Sequence, residues 1–153
     1  MYEYNVKITK VVDGDTVDVD IDLGFSTVLK KQRVRMVGID TPESRTRDKV
    51  EKLFGKASKA HLQRLLKAGE RISLVSHDKG KFGRILGTLY VHYADGHPVF
   101  GGKINVNQQM IEDRHAVLYN GENKDLVEKQ HLENREFVME QGMVTQEQID
   151  KVS

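Results

Sequence analysis

The sequence predicts an α+β domain built on a five-stranded OB-type Greek-key β-barrel, with about three α-helices packed on it. Three observations carry this expectation. The first ninety-odd residues break into about five strand-like runs, a helical pattern interrupts them after the third, and the last third of the chain turns helical. Strands in that number, with one helix inserted and others at the carboxy end, suit a small barrel that buries one face of each strand.

Each element has its own signal. Tyr2 to Val12 is rich in β-formers, and Thr16 to Leu23 alternates Val17, Val19, Ile21 and Leu23 with Asp18, Asp20 and Asp22, a strand with one wet face. Gly24, Phe25 and Ser26 form a turn, and Thr27 to Ile39 is the next strand, stopped at Asp40-Thr41-Pro42 because proline restricts the residue before it. From Val50 to Ala68 apolar residues recur at helical spacing, including Leu53, Phe54, Ala57, His61 and Leu65, with Gly69 available as the stop. Arg71 to Ser76 and Ile85 to Tyr93 are two more strands, joined by the polar stretch His77 to Arg84, and Ala94-Asp95-Gly96 is a turn. A short helix around Ile104 to Glu112 and a longer one from Lys124 to Met139 follow. The expected organisation is one domain over residues 1–140 and a polar, peripheral tail over 141–153.

Composition narrows the function classes. The chain has 153 residues, 38% hydrophobic and 31% charged, with a formal charge of +1. A domain of that size buries about two thirds of its unfolded surface. No apolar run reaches the roughly 20 residues that span a bilayer. The start of the chain lacks a signal peptide's basic and apolar regions, so the expected location is cytoplasmic. The absence of cysteine excludes disulfides, thiolate metal sites and cysteine nucleophiles, leaving oxygen or imidazole for any metal. Near-neutral charge argues against a protein that coats nucleic acid and allows one that grips a few phosphates locally.

Chemistry concentrates in three clusters. In Asp13-Gly14-Asp15-Thr16, the two-residue strand period puts Asp15 on the apolar face of Val17, Val19 and Ile21, where a carboxylate needs a partner. Asp18, Asp20 and Asp22 take the other face and read as solvated. They copy the first ligands of an EF-hand, but Leu23 and Leu29 stand where that loop needs glycine and glutamate. The second cluster is Arg35-Met36-Val37-Gly38-Ile39-Asp40-Thr41-Pro42-Glu43. Singly these residues suit a strand arginine, a turn and a first-turn glutamate; together they can hold a hard cation beside a phosphate. The third, Asp78-Lys79-Gly80-Lys81-Phe82-Gly83-Arg84, is either a basic connection or a phosphate clamp in which Arg84 donates and Gly83 lets the backbone approach. The six histidines, His61, His77, His92, His97, His115 and His131, show no ligand spacing, and none is assigned to a site.

In order and spacing, Val12 to Val17, Val34 to Glu43 and Lys81-Phe82-Gly83-Arg84 resemble the signature of the staphylococcal nuclease (thermonuclease) family, with similarity covering residues 4 to 120. The resemblance implies an OB-fold calcium-dependent endonuclease that hydrolyses phosphodiester bonds of DNA and RNA with little sequence specificity, on single-stranded or locally melted substrate. Asp15, Asp40 and the Thr41 carbonyl would hold calcium, with magnesium the lesser choice. Glu43 would deprotonate or orient water, and Arg35 and Arg84 would hold the phosphate. Lys81, Phe82 and Tyr119 would contact substrate, Tyr119 by stacking on a base, although a partly buried structural role for this tyrosine is an equal reading. Phe82 departs from the tyrosine frequent in relatives, the turn from Leu23 to Gln32 is longer, with Lys30, Lys31 and Arg33 reading as a solvated basic edge strand in preference to a phosphate track, and Arg114-His115 replaces small residues. A monomer without an obligate protein partner is expected. The rival expectation is a non-catalytic OB-fold module that binds nucleic acid or protein, against which stands the presence of all five site side chains.

Overall fold

The computed structural model describes residues 2–79, 83–94, 102–121 and 123–153. Strands β1 (Tyr2–Asp13), β2 (Thr16–Asp22) and β3 (Val28–Met36) form an antiparallel meander, followed by the two-residue β4 (Ile39–Asp40) and helix α1 (Lys49–Lys67). Then come β5 (Arg71–Lys79), β6 (Ile85–His92), β7 (Lys103–Asn105), α2 (Val106–Glu112), β8 (Val117–Leu118), α3 (Lys124–Glu140) and α4 (Gln146–Val152). The large sheet runs β3-β2-β1-β5-β6-β7, and a parallel pairing of β3 with β6 closes five of its strands into a barrel. The expected OB-type α+β architecture is what the chain adopts.

Alternation explains the barrel wall. Val17, Val19 and Ile21 of β2 are buried, and they meet Val34 and Met36 of β3, Leu74 of β5 and Leu89 and Val91 of β6 in one core. Two register shifts bend β1 where it pairs with β2, as bulges do in strands that curl round a small barrel. The β2–β3 turn falls at Gly24, Phe25 and Ser26 as predicted, all three with positive φ, and Phe25 is fully exposed there.

Helix α1 begins because the Asp48 side chain accepts from the Val50 and Glu51 amides, and it ends at Ala68, one residue before the glycine expected to stop it. Its length joins two cores. Leu62 and Leu66 enter the barrel core, whereas Phe54 and Ala57 pack with Val138 of α3 and Val144 in a smaller cluster. The stretch 141–153, expected as a polar peripheral tail, carries that buried Val144 and the helix α4, started by a Thr145–Gln148 capping box. No helix among the described residues is long and apolar enough to cross a membrane.

Two expectations need correction here. Asp18 does not rely on water alone: register sets it opposite Arg33, whose Nε and Nη2 bond its two carboxylate oxygens at 2.8 and 3.1 Å. That fork holds the Asp18 carboxyl below its usual range. The fourth long strand, expected to end at Ser76, continues through Lys79 opposite β6 across a register shift. The turn read at Ala94-Asp95-Gly96 lies outside the described residues after Ala94.

Beneath α1, the buried His115 ring stacks on His61 at 4.3 Å, and its Nδ1 has no hydrogen-bond partner among the described residues. Burial first, then the neighbouring His61 and Arg64, pushes the His115 imidazole down from 6.5 to about 4, with Asp113 opposing weakly. The unfolded chain therefore takes up this proton before the folded one does, and stability present above pH 6.5 is lost as pH falls toward 4. His115→Phe should flatten that acid-side loss in urea midpoints measured across the window; an unchanged slope would remove His115 as its source.

Candidate active site

The site assembles from four parts of the chain. A cleft of about 460 Å³ is lined by Asp13, Asp15, Thr16, Arg35, Asp40, Thr41, Pro42, Glu43, Arg45 and Arg84. Every residue assigned from sequence to catalysis or metal thus reaches one cleft. Asp15 enters it from the turn just before β2, Arg35 near the end of β3, Asp40 from β4, and Arg84 just before β6.

Asp15 is the buried centre. Its Oδ1 accepts from the Thr16 hydroxyl at 2.8 Å, and its Oδ2 accepts from the Thr41 amide at 3.2 Å and lies 3.4 Å from Arg35 Nη2. Arg35 is held in turn by the carbonyls of Met36 and Ile39, both at 2.9 Å, and its Nη2 is 3.6 Å from Asp40 Oδ1. One guanidinium therefore stands between the two carboxylates. Burial raises the Asp15 carboxyl above 3.8, with Arg35 and the Thr16 bond pulling it back and Asp40 pushing it further up.

Glu43 is exposed on the rim, and its backbone is fixed from behind. Gly55 of α1 presses so closely on the Glu43 carbonyl that any Cβ would overlap it, so only glycine lets the helix seat this loop. Beside it, the Ser44 hydroxyl donates to Asp13 Oδ1, tying the loop to the end of β1. Gly83 has φ +74, a left-handed conformation that glycine adopts without strain, in the backbone turn ahead of Arg84.

Some expected residues stand elsewhere. Tyr119 is half-buried, its amide bonded to the Gly38 carbonyl at 2.9 Å, and it does not line the cleft. Lys81 and Phe82 lie outside the described residues. The sequence reading missed Asp13 and Arg45, which line the cleft, and His131 of α3, whose Nε2 is 2.8 Å from Asp40 Oδ2. Asp13 had a signal in the Asp-Gly-Asp triplet. Arg45 and His131 had none, because a lone basic side chain is read into a site only by tertiary structure.

The acceptors of the cleft are all oxygens, which suits a hard cation such as calcium or magnesium. Thr41 supports the fit: it is buried, and its Oγ1 lacks a partner among the described residues. Among those residues no three acidic or imidazole side chains form a ready cage, so main-chain, water and substrate oxygens must complete any ion's shell.

The raised Asp15 carboxyl has a stability consequence. The fold favours its neutral form, so the ionised form costs stability that grows as pH rises from 3.8 through the raised value. Asp15→Asn keeps one oxygen to accept from the Thr41 amide, turns its NH2 toward the Thr16 hydroxyl oxygen, which can accept, and removes the charge. In EDTA at pH 7 this variant should melt higher than wild type, by about 2 to 4 °C for each kcal/mol relieved. A lower Tm by calorimetry would show that the Arg35 pairing outweighs burial.

Comparison with known proteins agrees with this geometry. A family model described as staphylococcal nuclease homologue matches residues 33–142, a span holding Arg35, Asp40, Thr41, Glu43 and Arg84. An uncharacterized endonuclease of Escherichia coli is 31% identical over 121 residues, covering 79% of this chain and 65% of that protein. A thermonuclease of Staphylococcus hyicus is 31% identical over 90 residues, covering 58% of this chain and 50% of that one. The chain thus spans two thirds or less of the length of these relatives. With the family model covering well over half of the chain, and a closed OB-type barrel carrying the cleft, this chain belongs to the staphylococcal nuclease family.

Proposed function

We propose that the chain is a calcium-dependent endonuclease that hydrolyses phosphodiester bonds in DNA and RNA with little sequence preference. The observation that carries the reading is the convergence of Asp15, Asp40, Arg35, Glu43 and Arg84 on one cleft. Contacts of that kind go to phosphate, which carries no sequence information.

Asp15, Asp40 and the Thr41 carbonyl are the residues that would hold calcium. Bound there, calcium supplies positive charge to an oxygen of the scissile phosphate. The rest falls to the chain's own groups. Arg35, fixed by two carbonyls, and Arg84 bind the phosphate and meet the charge that grows on its non-bridging oxygens as water attacks. Donors held in place beforehand stabilise that state more than the ground state. Glu43, exposed on the rim and seated by Gly55, receives a proton from the attacking water as the new P–O bond forms and the bond to the leaving oxygen breaks.

Digestion of plasmid and total RNA with calcium, magnesium or EDTA tests the reading; cleavage of neither nucleic acid under any condition would favour the binding module. Glu43→Gln keeps the shape without the base and should lower turnover by about two to four orders of magnitude. Near-wild-type turnover would remove Glu43 from the proton transfer. Arg84→Ala should lower single-turnover cleavage roughly 100- to 1000-fold with a smaller change in affinity, as loss of one preorganised donor does. An affinity defect with an unchanged cleavage step would make Arg84 a binding contact only.

A further inference from the structure

Asp40 is weakly placed by its own strand. It sits on β4, a two-residue strand that among the described residues pairs only with the equally short β8, and its side chain is 35% exposed. A carboxylate on so short a ladder has rotamers to lose before it can serve as a ligand. Yet both its oxygens are addressed: Oδ1 by Arg35 at 3.6 Å and Oδ2 by His131 Nε2 at 2.8 Å. The contact to His131 is the shorter, and its ring is only 15% exposed.

His131 is aimed by the face of α3 that docks on the domain. At helical spacing along that face, Asn134 donates to the Ala116 carbonyl at 3.4 Å, Arg135 stacks over the Phe54 ring at 5.0 Å, and Val138 is buried against Phe54. These contacts anchor the helix at β8's edge and on α1, leaving the imidazole no need to hold the helix down. A carboxylate accepts, so Nε2–H donates, and Oδ2 keeps a second lone pair for another partner.

We propose that His131 is a positioning residue for the metal site: from α3 it fixes the Asp40 carboxylate in its ligand orientation and thereby sets the affinity for a divalent cation. The inference rests on the reading of Asp40 as a calcium ligand. Hydrogen-bond partners behind a ligand orient it and preserve its basicity, and their loss typically costs about 10- to 100-fold in metal affinity. It makes α3 part of the site, although no atom of that helix lines the cleft.

The test uses the full chain, with calcium chloride as the probe in calorimetric titrations free of nucleic acid. His131→Leu removes the donor and should weaken calcium binding by roughly 10- to 100-fold. His131→Gln, which restores an N–H donor, should recover most of the affinity. Cleavage by His131→Leu should need correspondingly more calcium and then approach wild-type turnover at saturation, a split that misfolding does not produce. Calcium affinity unchanged or tightened in His131→Leu, or lost equally in the leucine and glutamine variants, would overturn the proposal. Asp40→Asn separates the two ideas. If it lowers calcium affinity while His131→Leu does not, only the role of His131 falls; if it leaves affinity unchanged, the assignment of Asp40 as ligand falls first.

Discussion

The parallel seam between β3 and β6 is the constraint on which the rest depends. It pairs Val34 with Ile85, Arg35 with Leu86 and Met36 with Gly87, joining residues some fifty positions apart. Buried Asn107 clasps its end: its amide nitrogen donates to the carbonyls of Val37 and Gly87, and its carbonyl oxygen accepts from the Leu89 amide. The same closure decides the spacing of the two arginines. Arg35 belongs to one edge of the seam and Arg84 immediately precedes the other, so a shift of one residue would turn their side chains to opposite faces. Barrel closure and arginine pairing are one geometric event.

The charge pattern of the cleft runs against stability. Asp15 would be easier to bury as a neutral group, and the fold keeps its carboxyl beside Asp40 with one guanidinium between them. Removing the guanidinium would leave both carboxylates without their counter-charge. A fold that keeps two carboxylates this close to one guanidinium gives up stability to hold them in one cleft. The outer face of β2 shows the contrast, for Asp18 and Arg33 neutralise each other in solvent and put no tension on the barrel.

What the sequence made legible was periodic. The two-residue alternation of β2 placed Asp15 inward among Val17, Val19 and Ile21, and the helical spacing of Leu53 to Leu66 located α1 within a residue or two. What stayed hidden depended on pairing between distant segments. The Asp18–Arg33 bridge needs the β2–β3 register, β4 and β8 are too short to show a period, and α4 has only a capping box and Ile149 to announce it. His131 was invisible for the same reason. Nothing in Gln130 or Leu132 beside it marks a site, and only docking of that helix brings an imidazole to Asp40.

The division of α1 between two cores makes stability uneven across the molecule. The barrel core spans the strands, α1 and α2, whereas the cluster that seats α3 and α4 has Phe54, Ala57, Val138 and Val144 at its buried centre. Units with fewer buried apolar contacts open at lower free energy than the whole fold. Heating should therefore lift the carboxy-terminal helices before the strands part, slackening Asp40 in a molecule whose barrel is still closed. Loss of the His131–Asp40 contact and melting of the barrel then become separate events, the first governed by the four buried side chains of that cluster.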